Sequence, residues 1–168
     1  MNTKQPVFDP RDLRHAFGSF GTGVTVVTSG NAQTRLVGVT ANSFSSVSLE
    51  PPIVLWSLVK GSPSLDVFDQ TGRFVINILS LDQVDLSKRF SSAGLTNKFE
   101  GVNHSLGLDG LPVLDDCVAT LECKTTERLV VGDHILFLGQ VERYAYERKP
   151  TLLFCQGSYV QGAPYSVA

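Results

Sequence analysis

Apolar and polar positions change period several times along this chain, and each change marks an element. After Asp9-Pro10, the residues Leu13, Ala16, Phe17 and Phe20 recur at helical spacing. That pattern predicts a short amphipathic helix to about Ser19, with Asp9 as N-cap and proline at the first helical position. Gly18, Gly21 and Gly23 break it. Val24-Thr25-Val26-Val27-Thr28 is β-branched throughout and predicts a strand. Ser29-Gly30-Asn31 predicts a turn, and residues 35–40 return as the partner strand. Pro51-Pro52 punctuates before 53–58, a strand apolar on both faces. Ser62-Pro63 opens a short helix through Leu65, Val67 and Phe68 that stops at Gly72. Residues 74–79 form the next strand. Ser80-Leu81-Asp82-Gln83 has capping-box form and predicts a helix over 81–90.

Residues 91–112 are rich in glycine and loop-like, a long excursion of the kind that is commonly functional or edge-lining in a small domain. Residues 118–124 alternate, with Ala119, Leu121 and Cys123 on one side and Thr120, Glu122 and Lys124 on a wet one. Strands over 135–141 and 152–155 complete about seven strands and three short helices. Strands in consecutive runs favour an antiparallel barrel with helices outside it over a parallel sheet. The length of 168 residues, without repeat or linker, suits one domain over 1–168.

Composition removes some classes of function. Net charge is −2 with no Lys/Arg cluster, so nucleic acid is not an expected partner. Apolar runs are too short to span a membrane, and residues 1–14 lack the apolar core of a signal peptide. A cytoplasmic location is the expectation. Cys117, Cys123 and Cys155 form no CxxC pair and read as reduced, partly buried thiols. His15, His104 and His134 lie far apart, so no metal site is expected. The chain has no GxGxxG after its first strand, no P-loop and no GxSxG elbow.

Candidate chemistry concentrates in residues 40–48, where five of nine side chains are hydroxyls. Small polar residues let a ligand approach the backbone, and their N–H and O–H groups can donate to it. Ser62-Pro63-Ser64 adds helix-start N–H groups and hydroxyls that favour an anion, although Ser62 serves equally as a plain N-cap. Lys60 either screens phosphate or is simply exposed. Phe90 either packs near a ligand or belongs to the core. Trp56 belongs to the core or to a subunit interface, and buried Asn77 must find hydrogen-bond partners in a structural role.

Taken in order, several segments resemble the flavin reductase-like family. They are Phe17-Gly18-Ser19-Phe20-Gly21-Thr22-Gly23-Val24-Thr25-Val26-Val27-Thr28, then Gly38-Val39-Thr40-Ala41-Asn42-Ser43-Phe44-Ser45-Ser46-Val47-Ser48, then Pro51-Pro52 and Phe74-Val75-Ile76-Asn77-Ile78-Leu79, then Gly132-Asp133-His134, and finally Leu153-Phe154 with Gly157-Ser158-Tyr159. The family comprises small reductase components of two-component flavin-dependent monooxygenases. The resemblance implies a mainly β fold, a split β-barrel of FMN-binding type, antiparallel and Greek-key-like, with a few short peripheral helices. It implies a homodimer in which FMN or FAD is reduced by NADH or NADPH and reduced flavin goes to a separate oxygenase.

The resemblance also assigns residues. Thr40, Ala41, Asn42, Ser43, Phe44, Ser46 and Val47 would line the flavin. Gly61, Ser62, Ser64 and Leu65 would hold its phosphate end, and Phe90 would pack nearby. His134 and Tyr159 would lie by the nicotinamide, with His134 orienting the carboxamide or supplying a proton. Gln156 and Ser158 stand where many relatives place cations, and no basic pocket for a 2′-phosphate is evident, which favours NADH. Two rivals remain: a flavin-binding electron carrier or sensor without reductase activity, and a split-barrel oxidase of a phosphorylated pyridoxine-like molecule. The second would need an arginine-rich pocket, which the hydroxyl segment lacks.

Overall fold

The computed structural model describes residues 8–162. In chain order its elements are α1 (Pro10–Gly18), β1 (Thr22–Gly23), β2 (Thr25–Ser29), β3 (Val37–Ala41), β4 (Ser45–Leu49), β5 (Pro52–Val59), α2 (Leu65–Thr71), β6 (Arg73–Ile78), α3 (Val84–Ser91), β7 (His104–Leu106), β8 (Pro112–Leu114), β9 (Ala119–Val131), β10 (His134–Tyr146), β11 (Leu152–Cys155) and β12 (Ser158–Gln161). The fold is mainly β, as the sequence predicts. Seven strands pair antiparallel in the order β3-β2-β6-β9-β10-β5-β4. The two edge strands, β3 and β4, are joined by residues 42–44 alone. Such a short link forces the sheet to roll until its edges meet. Ser43 marks the seam: its Oγ accepts from Ser57 N (3.0 Å) and donates to Ser57 O (3.3 Å) on β5. β5 and β6 are consecutive in the chain yet separated by β9 and β10, the Greek-key-like crossing.

The core lies on both faces of this rolled sheet. Inside, Trp56, Phe68, Phe74 and Phe137 pack with Val27, Ile76 and Cys123. Outside, Val24, Val26, Leu79, Phe90, Leu114 and Leu152 form a second cluster. β2 contributes Val27 to one and Val26 to the other, and all five of its residues are buried. That is why β2 is β-branched without alternation. Asn77 bridges the strands around it. Its Nδ2 donates to Val26 O (2.9 Å) and Thr28 Oγ1 (3.0 Å), and its Oδ1 accepts from Leu114 N (2.9 Å).

Several details depart from the sequence expectations. Residues 45–49, to which the sequence pattern assigns no element, form strand β4, their backbone paired with β5. Trp56, by contrast, occupies one of its two expected places, the core, with none of its surface exposed. β9 and β10 run far beyond the predicted strands as a 13-residue pair joined at Gly132-Asp133. Glu122 does not face water. The 104–114 excursion covers it, and its carboxylate accepts from Arg143 Nε (2.5 Å), Arg143 Nη2 (2.8 Å) and Leu108 N (2.6 Å). α1 forms as predicted, with Asp9 capping Arg11 N (2.7 Å) and Asp12 N (3.2 Å), but none of its residues is buried.

Burial also sets the thiol chemistry. Desolvation pushes the Cys117 and Cys123 thiols up to about 12. Both stay protonated in the folded protein at pH 8, where iodoacetamide is expected to modify Cys155 alone until denaturant is added. The same shift carries a stability consequence. Unfolded thiols ionise near their ordinary value of about 8.5, whereas the folded ones cannot. Stability is therefore expected to be full below that pH and to fall as pH rises toward about 12. Denaturant midpoints across that range, compared with a Cys117→Ala/Cys123→Ala variant, check this; an equal alkaline slope in the variant would remove the thiols as its cause.

Candidate active site

Beside the seam, a cleft of about 840 Å³ opens between four walls. These are residues 35–43 along β3, the end of β5 with residues 57–64, the end of α3 with residues 90–98, and His134. The volume falls in the range of small-molecule and cofactor sites, about 300–1,000 Å³.

The β3 wall depends on one glycine. A Cβ at Gly38 would collide with Cε1 and Cδ1 of Phe90, and would stand 3.4 Å from Thr28 Cγ2. The absent side chain lets the Phe90 ring lie directly on the strand. Thr40 Oγ1 donates to Ser87 O (2.6 Å), tying β3 to α3. The Thr40 and Ser43 hydroxyls, which the sequence suggested as ligand donors, are thus already spent in holding the wall together. Their contribution to a ligand is shape and backbone.

At the other wall, Ser62 Oγ accepts from Ser64 N (3.3 Å), and Leu65 N donates to Ser62 O (3.2 Å). Ser64, not Ser62, occupies the N-cap position of α2, and its side chain makes no cap bond. Arg35 spans the gap above. Its guanidinium donates to Asp66 Oδ2 (2.9 Å) and Oδ1 (2.8 Å) and to Pro63 O. That pairing raises the Arg35 pKa and lowers that of Asp66.

His134 opens β10 after a two-residue hairpin turn. Gly132 has φ 56°, the positive value that such a turn needs at its first central residue. His134 Nδ1 lies 2.8 Å from Asp133 Oδ1, and that hydrogen bond holds the Asp133 carboxyl below its ordinary range. Asp133 therefore orients the imidazole, leaving Nε2 for whatever enters the cleft.

Of the predicted site residues, Thr40, Ala41, Asn42, Ser43, Gly61, Ser62, Ser64, Phe90 and His134 line the cleft. Phe90 does so while also belonging to the outer core. Phe44, Ser46, Val47, Leu65 and Tyr159 do not line it. Phe44 and Leu65 pack against the inner core, and strand pairing carries Ser46 and Val47 away along β4. Tyr159 instead shares a 2.9 Å hydrogen bond with Ser87 and packs edge-on against Phe154 at 5.4 Å. Lys60 is exposed and is not part of the lining.

Sequence reasoning missed Arg35 and residues 91–98, apart from marking 91–112 as an excursion with a purpose. Arg89 shapes that segment, donating through Nε to Lys98 O (2.6 Å) and through Nη2 to Glu100 O (2.6 Å) and Asn97 O (3.4 Å). No periodicity reports such an arginine-to-carbonyl cage. Among the described residues, no group of His, Cys, Asp and Glu is arranged to hold a metal ion, and no helix is long and apolar enough to cross a membrane.

A family model described as "Flavin reductase like domain" matches residues 17–163. The chain is 42% identical over 153 residues to a "Probable flavin reductase" of Rhizobium meliloti (strain 1021), covering 91% of this chain and 49% of that protein. It thus spans about half the length of that relative. It is 36% identical over 155 residues to "Flavin-dependent monooxygenase, reductase subunit HsaB" of Mycobacterium tuberculosis, covering 90% of this chain and 81% of that protein. Among solved structures, it superposes with a TM-score of 0.86 and 35% identity on the Streptomyces globisporus C-1027 NADH:FAD oxidoreductase SgcE6 in complex with NAD and FAD fragments, over 95% of this chain and 98% of that one.

Proposed function

The chain belongs to the flavin reductase-like family, and from that premise we propose that it works as a single domain, an NAD(P)H:flavin oxidoreductase, with FMN or FAD and NADH as its ligands. The observation that carries this is the cleft itself: its size suits a flat heterocycle, a glycine-aromatic floor lies along β3, and His134 stands at its edge. A bound flavin supplies the hydride-accepting ring, and reduced nicotinamide supplies the hydride.

The chain's own part is positional, since hydride transfer needs two rings held in contact and water kept out. Phe90 and residues of the 91–98 segment would border the ring on one side. The β3 backbone, with Asn42 at the rim, offers hydrogen bonds to its polar edge, and Gly61, Ser62 and Ser64 face its phosphate end. His134 Nε2 orients the carboxamide or delivers a proton, held by Asp133. Phe44, Ser46, Val47, Leu65 and Tyr159 are left out of this assignment. NADH is favoured because Arg35, the guanidinium in the cleft lining, is engaged with Asp66 rather than open to a 2′-phosphate.

Reduced flavin then leaves for a separate oxygenase, a reading supported by the name of the mycobacterial relative, the reductase subunit of a flavin-dependent monooxygenase. A cytoplasmic location fits a user of free nicotinamide nucleotides. A homodimer is also part of the proposal: Phe17 and Phe20 are 71% and 78% exposed, apolar surface that a second subunit would cover. A monomeric sedimentation profile at micromolar concentration would reject the dimer.

Steady-state NADH and NADPH oxidation with FMN, FAD and riboflavin tests the reading, and absence of turnover with all three would reject it. His134→Ala is expected to lower kcat by about 10²-fold, the lower bound for losing a positioned acid or orienting group. Flavin affinity should be unchanged in that variant. Tight flavin binding without NADH turnover in the wild type would instead identify an electron carrier or sensor.

A further inference from the structure

We propose that Lys98 is the counter-ion of this cleft: its ammonium binds the negative charge of the flavin ligand. The inference rests on the flavin reading above and adds a residue to it. The ionisable side chains lining the cleft are Arg35, Lys98 and His134, and no Asp or Glu is among them. Two of these positive or protonatable groups already have carboxylate partners. Arg35 is paired twice with Asp66, and His134 is bonded to Asp133. Lys98 differs. Its Nζ donates to Phe90 O (2.7 Å) and Gly38 O (3.4 Å), and among the described residues no carboxylate forms an ion pair with it.

A half-buried ammonium held only by carbonyls is costly, because desolvation without a counter-charge disfavours the ion. Burial indeed lowers the Lys98 pKa. For packing alone, an apolar side chain would fit position 98 at less cost. The carbonyls give the amine a fixed address instead. Phe90 O belongs to the last turn of α3, where the helix dipole favours a cation. Gly38 O belongs to β3, so the amine sits where two walls of the cleft meet. An ammonium has three donors. With two on carbonyls, the third remains for a ligand.

The ligand offers negative charge in two places, at the phosphate that riboflavin lacks and on the ring after reduction. Binding of oxidised and reduced FMN and riboflavin to wild type, Lys98→Arg, Lys98→Met and Lys98→Gln separates them. A charge-assisted hydrogen bond is worth about 10–100-fold in affinity. If the amine meets phosphate, K98M loses that factor for FMN in both redox states and keeps riboflavin. If it meets the ring, K98M loses it for both reduced flavins and keeps both oxidised ones. K98R retains most of the affinity in either case. K98Q, which preserves a donor to the carbonyls, repeats the K98M pattern and serves if K98M does not fold. Unchanged binding of all four species, or equal loss of oxidised riboflavin and FMN, overturns the proposal while leaving the flavin reading standing. A wild-type chain that takes up no flavin overturns both.

Discussion

Gly38→Ala is expected to destabilise the protein by about 1–3 kcal/mol, the usual cost of overpacking a filled core, and to lose flavin affinity with it. For a chain of this size that corresponds to a melting temperature lower by roughly 3–10 °C. A methyl at position 38 would occupy space now filled by the Phe90 ring, which is 1% exposed. That ring cannot retreat outward, because Phe99 packs edge-on against it at 5.1 Å. The open direction is the cleft it lines. The substitution therefore couples stability to binding: displaced Phe90 enters the space proposed for the isoalloxazine and drags its carbonyl away from Lys98. A double variant, Gly38→Ala with Phe90→Leu, should recover part of both losses, since residues in contact are not additive. If Gly38→Ala melts and binds flavin like the wild type, the close approach of β3 and α3 does not control the cleft.

Trp56→Ala should cost about 3–5 kcal/mol, the range for truncating a large buried aromatic. Against a total of about 5–15 kcal/mol this brings the protein close to unfolding. Trp56 stacks on Phe137 at 4.9 Å and 13°, and meets Phe68 at 4.9 Å and Phe74 at 5.7 Å. Trp56→Phe should cost far less than alanine. The indole Nε1 is buried without a hydrogen-bond partner among the described residues, so phenylalanine forfeits volume but no hydrogen bond. Urea midpoints of the three proteins separate these expectations. Equal losses for Phe and Ala would mean that the indole makes a polar interaction, not only a packing one.

The strands legible in the sequence were those whose pattern is decided locally. The β-branched residues of β2 favour extended backbone on their own account, and the Asp9-Pro10 start of α1 needs only its own backbone. The capping box at Ser80 closes as written, with Gln83 Oε1 accepting from Ser80 N at 3.0 Å. Less legible was anything settled by a distant partner. Glu122 alternates like a solvent-facing residue, yet Arg143 and Leu108, far away in sequence, enclose it. The hydroxyls of Thr40 and Ser43 have the composition of a ligand wall, but their hydrogen bonds go to Ser87 and Ser57.

Thus the amino-acid order alone determined the mainly β architecture, the short peripheral helices and, through the resemblance, the family. Those features follow from periodicity, capping and turn chemistry, whose interactions span only a few residues. Tertiary structure alone decided which of the nominated residues share one cleft, why Gly38 cannot carry a side chain, and that Lys98 meets no acid among the described residues. Each depends on which parts of β3, β5, α3 and the 91–98 segment face one another once the sheet has rolled, and long-range packing of that kind leaves no period in the chain.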